Sequence, residues 1–327
     1  MNSAPLMAIR GLEVTFGTSR VVHGIDLDIA AGEALGVVGE SGCGKSVTWL
    51  AALGLLPGMA ATSGSVRFQG QELCNAPRAT LENVRGRRIA MIFQDPSSCL
   101  NPVRRVGPQL VEAVTLHTNL RGDEAKTEVL RLMELVGIPD RAARFNLYPH
   151  EFSGGQSQRL MIAMALAGRP DILVADEPTT ALDATIQAQI LDLLGRLRRE
   201  TGMALIFISH DLGAVSQVCD RIAVMYAGRV VETGAVTEIF AHPRHPYTVG
   251  LLNSIPRLDG GQDDLLTIPG AVPDPSHLPP GCAFAARCAR ADETCATAIP
   301  PLRGDGAAVA CWHAALPNPS LREAALA

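Results

Sequence analysis

Two lysines occur in this chain, Lys45 and Lys126, while arginine supplies the other long cationic side chains. Lys45 lies in Gly39-Glu40-Ser41-Gly42-Cys43-Gly44-Lys45-Ser46-Val47, a G-x-x-x-x-G-K-S pattern. An ammonium is a compact charge on a rotatable stem, suited to reaching between phosphate oxygens. Glycines at 39, 42 and 44 let backbone amides approach an anion closely, and the helix that follows offers its positive end. The hydroxyl of Ser46 suits Mg²⁺. The string is therefore a phosphate-binding loop.

A second group of chemically able residues is Ile172-Leu173-Val174-Ala175-Asp176-Glu177, four apolar residues ending in two carboxylates. Asp176 is placed to hold Mg²⁺, and Glu177 to orient or deprotonate an attacking water. Alone, the same string is an ordinary strand with solvated acids at its tip; the phosphate loop upstream gives it force. The third is Ser153-Gly154-Gly155-Gln156, about twenty residues earlier. Its glycines leave amides uncovered at the start of a helical pattern, which suits an anion. A bare Gly-Gly is usually a turn, and here too the company carries the argument.

These residues need elements to position them. Ala34–Val38 reads as a short buried strand that delivers Gly39, and a helix is expected from Ser46 to about Leu56, stopped by Pro57-Gly58. Val66–Phe68, Ile89–Phe93, Ile172–Ala175, Ala204–Ile208 and Ile222–Met225 read as further strands. Between about Ser97 and Leu166 the pattern is helical, with Val129, Leu132, Met133 and Val136 on one face. The expected fold class is α/β, a nucleotide-binding core over 1–96 and 167–240 with an inserted helical subdomain over 97–166. From 241 to 327 prolines punctuate the chain, which predicts short elements and an irregular extension.

The 327 residues carry a net charge of −5, no basic block and no basic-aromatic interleaving, which disfavours nucleic acid as a partner. No apolar run reaches bilayer length, and the first residues lack a signal-peptide pattern. The protein is expected to stay in the cytosol or on the cytosolic face of a membrane. Four cysteines, Cys282, Cys288, Cys295 and Cys311, cluster in the extension. In a reducing compartment such a cluster reads as metal-binding before disulfide. No C-x2-C knuckle of a zinc ribbon is present, and four thiolates also suit a [4Fe–4S] cluster. A structural staple for a proline-rich tail is the role expected of either. His242 and His245 read as structural or interface residues rather than ligands.

The loop, Phe93-Gln94-Asp95-Pro96, Ser153–Gln156, Asp176-Glu177, Ala181-Leu182-Asp183 and Ser209-His210-Asp211 stand in the order found in ATP-binding-cassette ATPases, which this chain resembles over roughly 240 residues. The resemblance implies ATP and Mg²⁺ as ligands. It implies that Gln94 contacts Mg²⁺ and water and relays to a membrane partner, and that His210 contacts the γ-phosphate. It places Phe16 on adenine, although a core role for Phe16 reads equally well. Ser153 to Gln156 would bind the ATP held by an opposite subunit, with Asp183 at the dimer seam. Gly54-Leu55-Leu56-Pro57, Leu100-Asn101-Pro102, Pro178-Thr179-Thr180 and His245-Pro246-Tyr247-Thr248 narrow the resemblance to oligopeptide and dipeptide importer ATPases, some of which carry a [4Fe–4S] cluster in a similarly spaced extension. Cys99 and Ser157 depart from that pattern, where Ser and Arg are usual. The expected partners are a second, related ATPase, two transmembrane permeases and an extracytoplasmic substrate-binding protein. A nickel or glutathione importer is the alternative within transport; a soluble non-transport cassette is the alternative outside it.

Overall fold

Strands buried on both faces and strands buried on one divide this chain. In a computed structural model, residues 4–95, 99–180, 182–255, 267–304 and 306–314 are described. Pro96, Ser97 and Ala181, named above, lie outside them. The chain separates into two compact units, residues 1–76 with 209–327, and residues 77–208.

The first unit opens with β1 (Met7–Phe16) and β2 (Ser19–Ile29), followed by β3 (Ala34–Val38), α1 (Lys45–Ala52), β4 (Ala60–Phe68) and β5 (Gln71–Glu72). β1 alternates buried and accessible residues, as a strand with one covered face must. It pairs antiparallel with β2 on one side and β4 on the other. Every residue of β3 is buried, the mark of a strand covered on both faces.

The second unit holds α2 (Arg78–Val84), β6 (Ile89–Ile92), α3 (Val106–His117), α4 (Gly122–Leu135), α5 (Arg141–Arg144), α6 (Gly154–Leu166), β7 (Ile172–Asp176), α7 (Ala184–Thr201) and β8 (Ala204–Ser209), whose final residue belongs to the first unit. β6, β7 and β8 run parallel with β7 central. Their apolar runs are the core of this unit. The expected face of Val129, Leu132, Met133 and Val136 is buried.

The first unit resumes with α8 (Leu212–Val218), β9 (Arg221–Tyr226), β10 (Arg229–Ala235), α9 (Val236–Ala241), α10 (Pro246–Asn253), α11 (Glu293–Thr297) and β11 (Ala308–Val309). β3 pairs parallel with β9, and β9 antiparallel with β10. β11 adds antiparallel to β10 through Glu232↔Val309 and Thr233↔Ala308, so the proline-rich segment is stitched to a sheet by two residues. Its other regular pieces are as short as its prolines require.

The helix after the phosphate loop ends at Ala52, not near Leu56. Gly54, at φ +60°, stops it. The Leu55 amide donates to the Leu50 carbonyl (2.8 Å) and the Gly54 amide to Ala51 (2.9 Å), a Schellman closure that precedes Pro57-Gly58. β4 starts six residues before Val66, because residues Ala60 to Ala61 and Thr62 to Ser63 pair with the end of β1.

Candidate nucleotide site

The phosphate loop is shaped by glycines with no substitute. A Cβ on Gly39, at φ +152°, would lie 2.2 Å from the Met225 carbonyl oxygen. Gly44, at φ +95°, precedes α1 in the left-handed region that L side chains avoid. The β9–β10 turn braces the loop from behind: the Gly228 amide donates to Cys43 O (3.0 Å), and the Gly228 carbonyl accepts from the His23 amide (2.9 Å). Lys45 is 5% exposed. Its ammonium donates to the carbonyls of Gly39 (2.7 Å) and Glu40 (3.0 Å), so it lies curled within the loop that carries it. Burial pushes the Cys43 thiol up, against the pull of Lys45 nearby, which keeps it a neutral packing group. Ser41 and Gly42 are exposed at the loop tip, and Ser46 and Val47 are half-buried at the helix start. Phe16, half-buried, ends β1 at a tight turn and pairs with Ser19.

In the same unit, Ser209 ends β8, and its Oγ accepts from the Asp211 amide (2.9 Å). Asp211 in turn caps α8, accepting from Gly213 N (2.8 Å) and Ala214 N (3.2 Å). His210 is held exposed between these two anchored residues.

In the second unit, Asp176 closes β7 and is buried, 7% exposed. Glu177 follows at φ +46°, a backbone state that costs a non-glycine residue roughly 1–2 kcal/mol. Its amide donates to Ile208 O (3.0 Å), and its carboxylate accepts from Gln94 Nε2 (2.9 Å) and Thr180 Oγ1 (3.0 Å). Gln94 and Glu177, expected from sequence to share a water, thus meet directly. Thr180 was not foreseen; only its place three residues after the glutamate signalled it.

Ser153 caps α6 in a reciprocal box: its Oγ accepts from Gln156 N (3.4 Å), and Gln156 Oε1 accepts from Ser153 N (3.2 Å). Ser153 and Gly154 are exposed, so the helix start is open to an anion. A Cβ on Gly155 would sit 2.6 Å from Ile186 Cγ2, so this glycine sets the approach of α6 to α7. Asp183, exposed, caps α7 by accepting from Ile186 N (3.0 Å).

The four clustered thiols line one small pocket with Phe284, Trp312 and His313, and none is in a disulfide. The Cys282 amide donates to Cys295 O (2.8 Å), an approach only glycine at 281 permits, since a Cβ there would lie 2.2 Å from that oxygen. Burial pushes the Cys311 thiol up, and the neighbouring Cys282, Cys288 and Cys295 push the same way. Ligand atoms of Asp292, Cys295 and His313 lie within 4.8 Å of one another, with His313 Nε2 2.9 Å from Asp292. His245 is 1% exposed and its Nδ1 accepts from the Tyr247 amide (3.1 Å), so it caps α10 and is structural, as expected.

Two residues that sequence reasoning passed over reach the phosphate loop. Tyr247, fully buried, accepts from the Glu40 amide through its hydroxyl (2.8 Å). Arg287 makes a two-pronged pair with the Glu40 carboxylate (2.7 and 3.0 Å). Tyr247 stood only as part of a four-residue string, and Arg287 had no signal beyond its place before Cys288.

A strand, a glycine-rich loop closing on a lysine, and a helix, with a buried aspartate and a glutamate at a second strand tip, define a P-loop ATPase of the ATP-binding-cassette class. Residues 22–180 match the family described as ABC transporter, and residues 231–295 match the oligopeptide/dipeptide transporter C-terminal region. The chain is 49% identical over 295 residues to the oligopeptide transport ATP-binding protein OppD of Haemophilus influenzae, covering 89% of this chain and 91% of that protein. It is also 49% identical to the dipeptide transport ATP-binding protein DppD of Bacillus subtilis, covering 94% of each. Among solved structures, cbiO1 of Clostridium perfringens, part of an ABC transporter complex, superimposes with TM-score 0.63 at 28% identity, covering 73% of this chain and 92% of that one. A dimeric cassette in a post-hydrolysis state with ADP and Pi gives 0.63 at 25%, covering 70% and 98%. The chain belongs to the ATP-binding-cassette ATPases, in the group of peptide-transporter ATP-binding proteins.

Proposed function

We propose that this chain is the ATP-hydrolysing subunit of an importer of dipeptides and oligopeptides, working at the cytoplasmic face of the membrane. The observation that carries this reading is the joint match of cassette and peptide-transporter extension in one chain, beside relatives named for peptide transport. Among the described residues no helix is long and apolar enough to cross a membrane. The work across the bilayer therefore falls to two permease subunits, with a second, related ATPase and a substrate-binding protein completing the assembly. The proposed layout is a core over 1–96 and 167–240, a helical subdomain over 97–166 and an extension over 241–327.

Gly39 to Val47 cradle the phosphates, and the Lys45 ammonium exchanges its loop carbonyls for phosphate oxygens. Phe16 packs on adenine. Ser46, Gln94 and Asp176 are the oxygen ligands that would hold Mg²⁺; the buried carboxylate of Asp176 fits that ion. Mg²⁺, when bound, offsets charge on the phosphates. Glu177, kept in place by Gln94 and Thr180, accepts a proton from the attacking water, and His210 contacts the γ-phosphate. Ser153 to Gln156 and Asp183 offer capped, exposed helix starts to the nucleotide of the partner ATPase. ATP gripped from both sides favours the closed dimer over the open one. Cys282, Cys288, Cys295 and Cys311 would hold a [4Fe–4S] cluster, which supplies a covalent staple to a segment with little core. One shared pocket and four free thiols fit that group.

Glu177→Gln is expected to retain ATP binding and nucleotide-dependent dimerisation while hydrolysis drops by at least about 100-fold. ATPase assay beside size-exclusion chromatography with ATP checks it; full turnover would remove Glu177 from the role of base.

A further inference from the structure

Residue 40 is gripped at three points. Its carbonyl accepts from the Lys45 ammonium at 3.0 Å, its amide donates to the Tyr247 hydroxyl at 2.8 Å, and its carboxylate pairs with Arg287 at 2.7 and 3.0 Å. Two of the three grips come from the C-terminal segment, more than 200 residues along the chain.

Both outer partners are fixed in their turn. The Arg287 side chain is only 5% exposed. Its guanidinium lies over the rings of Tyr226 and Phe284, each 5.8 Å away, and its Nε donates to Pro269 O (2.8 Å). Tyr247 packs against Tyr226 and Phe284 with centroids 4.6 and 5.5 Å apart. Its backbone is placed by buried Glu232 of β10, whose carboxylate accepts from the amides of Arg244 (2.7 Å) and His245 (3.0 Å). A surface ion pair would be loose and weak. This one joins a buried, stacked guanidinium to a half-buried carboxylate by two hydrogen bonds, a geometry that fixes orientation.

We propose that Arg287 and Tyr247 are positioning residues of the nucleotide site, holding the phosphate loop through Glu40 in the shape that receives triphosphate. The cysteines enter through the backbone. Arg287 sits in the turn from Cys282 to Cys288, closed by Ala285 N to Cys282 O (3.0 Å), Arg287 N to Phe284 O (3.0 Å) and Cys288 N to Ala285 O (3.2 Å). A group bound at both ends of that turn fixes the arginine within it. Nucleotide affinity is thereby tied to the state of the four-cysteine pocket. This rests on the reading of residues 39–47 as the ATP site.

The test uses the full chain, with affinity for a fluorescent ATP analogue measured beside KM and kcat. Tyr247→Phe removes one hydroxyl and keeps the ring; Arg287→Met keeps the stem and loses the charge. Tyr247→Phe is expected to weaken nucleotide binding and raise KM about five- to tenfold with kcat nearly kept, the effect of one lost hydrogen bond. Arg287→Met is expected to weaken it by at least about tenfold, and Arg287→Lys to restore part of the loss. Glu40→Gln combined with Arg287→Met should be no worse than Arg287→Met alone. Cys288→Ser should weaken binding in the native background and add little in the Arg287→Met background. A purely structural role predicts a lower active fraction, with kcat reduced and KM unchanged, and that result overturns the proposal. Additive effects of Glu40→Gln and Arg287→Met, or of Cys288→Ser and Arg287→Met, overturn it equally. Lys45→Ala separates the two readings: if it abolishes binding while the other variants bind normally, the nucleotide site stands and the clamp falls.

Discussion

At the scale of single residues, burial decides which groups carry charge. His245 has its imidazole held down to about pH 4 by desolvation, against 6.5 for the free side chain. Between those values the unfolded chain binds a proton that the folded chain refuses. Stability is therefore expected to fall as pH drops from 6.5 toward 4, by about 1.4 kcal/mol per pH unit from this residue. Urea titrations at pH 7 and pH 5 measure it. His245→Asn, which keeps an acceptor for the Tyr247 amide, should lose that part of the slope. The candidate nucleotide residues were legible at this scale because G-x-x-x-x-G-K-S and the Asp-Glu strand tip are local patterns with local reasons. Tyr247 and Arg287 were not. Their contacts with Glu40 join residues 207 and 247 positions apart, and no periodicity encodes such a pairing.

At the scale of elements, apolar runs marked β3, β6, β7, β8 and β9, because a strand buried on both faces has no polar alternative; β1, β2 and β10, whose polar residues interrupt the run, were not read from the sequence. Boundaries were less legible. The end of α1 was expected at Pro57-Gly58, yet Gly54 closes it earlier, since a left-handed glycine satisfies the last carbonyls more directly than a proline merely forbids continuation. β11 was invisible: two residues of ordinary composition become a strand only because β10 offers them a partner. The packing of α6 on α7 yields a test. Gly155→Ala drives a methyl to within 2.6 Å of Ile186 Cγ2, and is expected to destabilise the fold by roughly 1–3 kcal/mol. Ile186→Ala in the same chain should recover much of it, because the clash is with that side chain alone; thermal melts of the single and double variants decide.

At the scale of the whole molecule, the relatives match this chain over nearly its full length, the extension included. The match to the transporter C-terminal region spans residues 231–295, which carry Cys282, Cys288 and Cys295, and elemental analysis of the purified protein tests the proposed cluster. We expect a brown protein with broad visible absorbance and about four iron atoms per chain, as a Cys₄ cluster requires. Stoichiometric zinc without iron, by elemental analysis, would replace that assignment. The scarcity of lysine has a practical consequence for this molecule. Lys126 is exposed on α4, whereas Lys45 is enclosed with its ammonium on two carbonyls. An acylating reagent therefore meets, apart from the terminal amine, one fast side chain and one slow one. The slow acylation rate gauges how often the loop lets its lysine go, readable by mass spectrometry with no variant made.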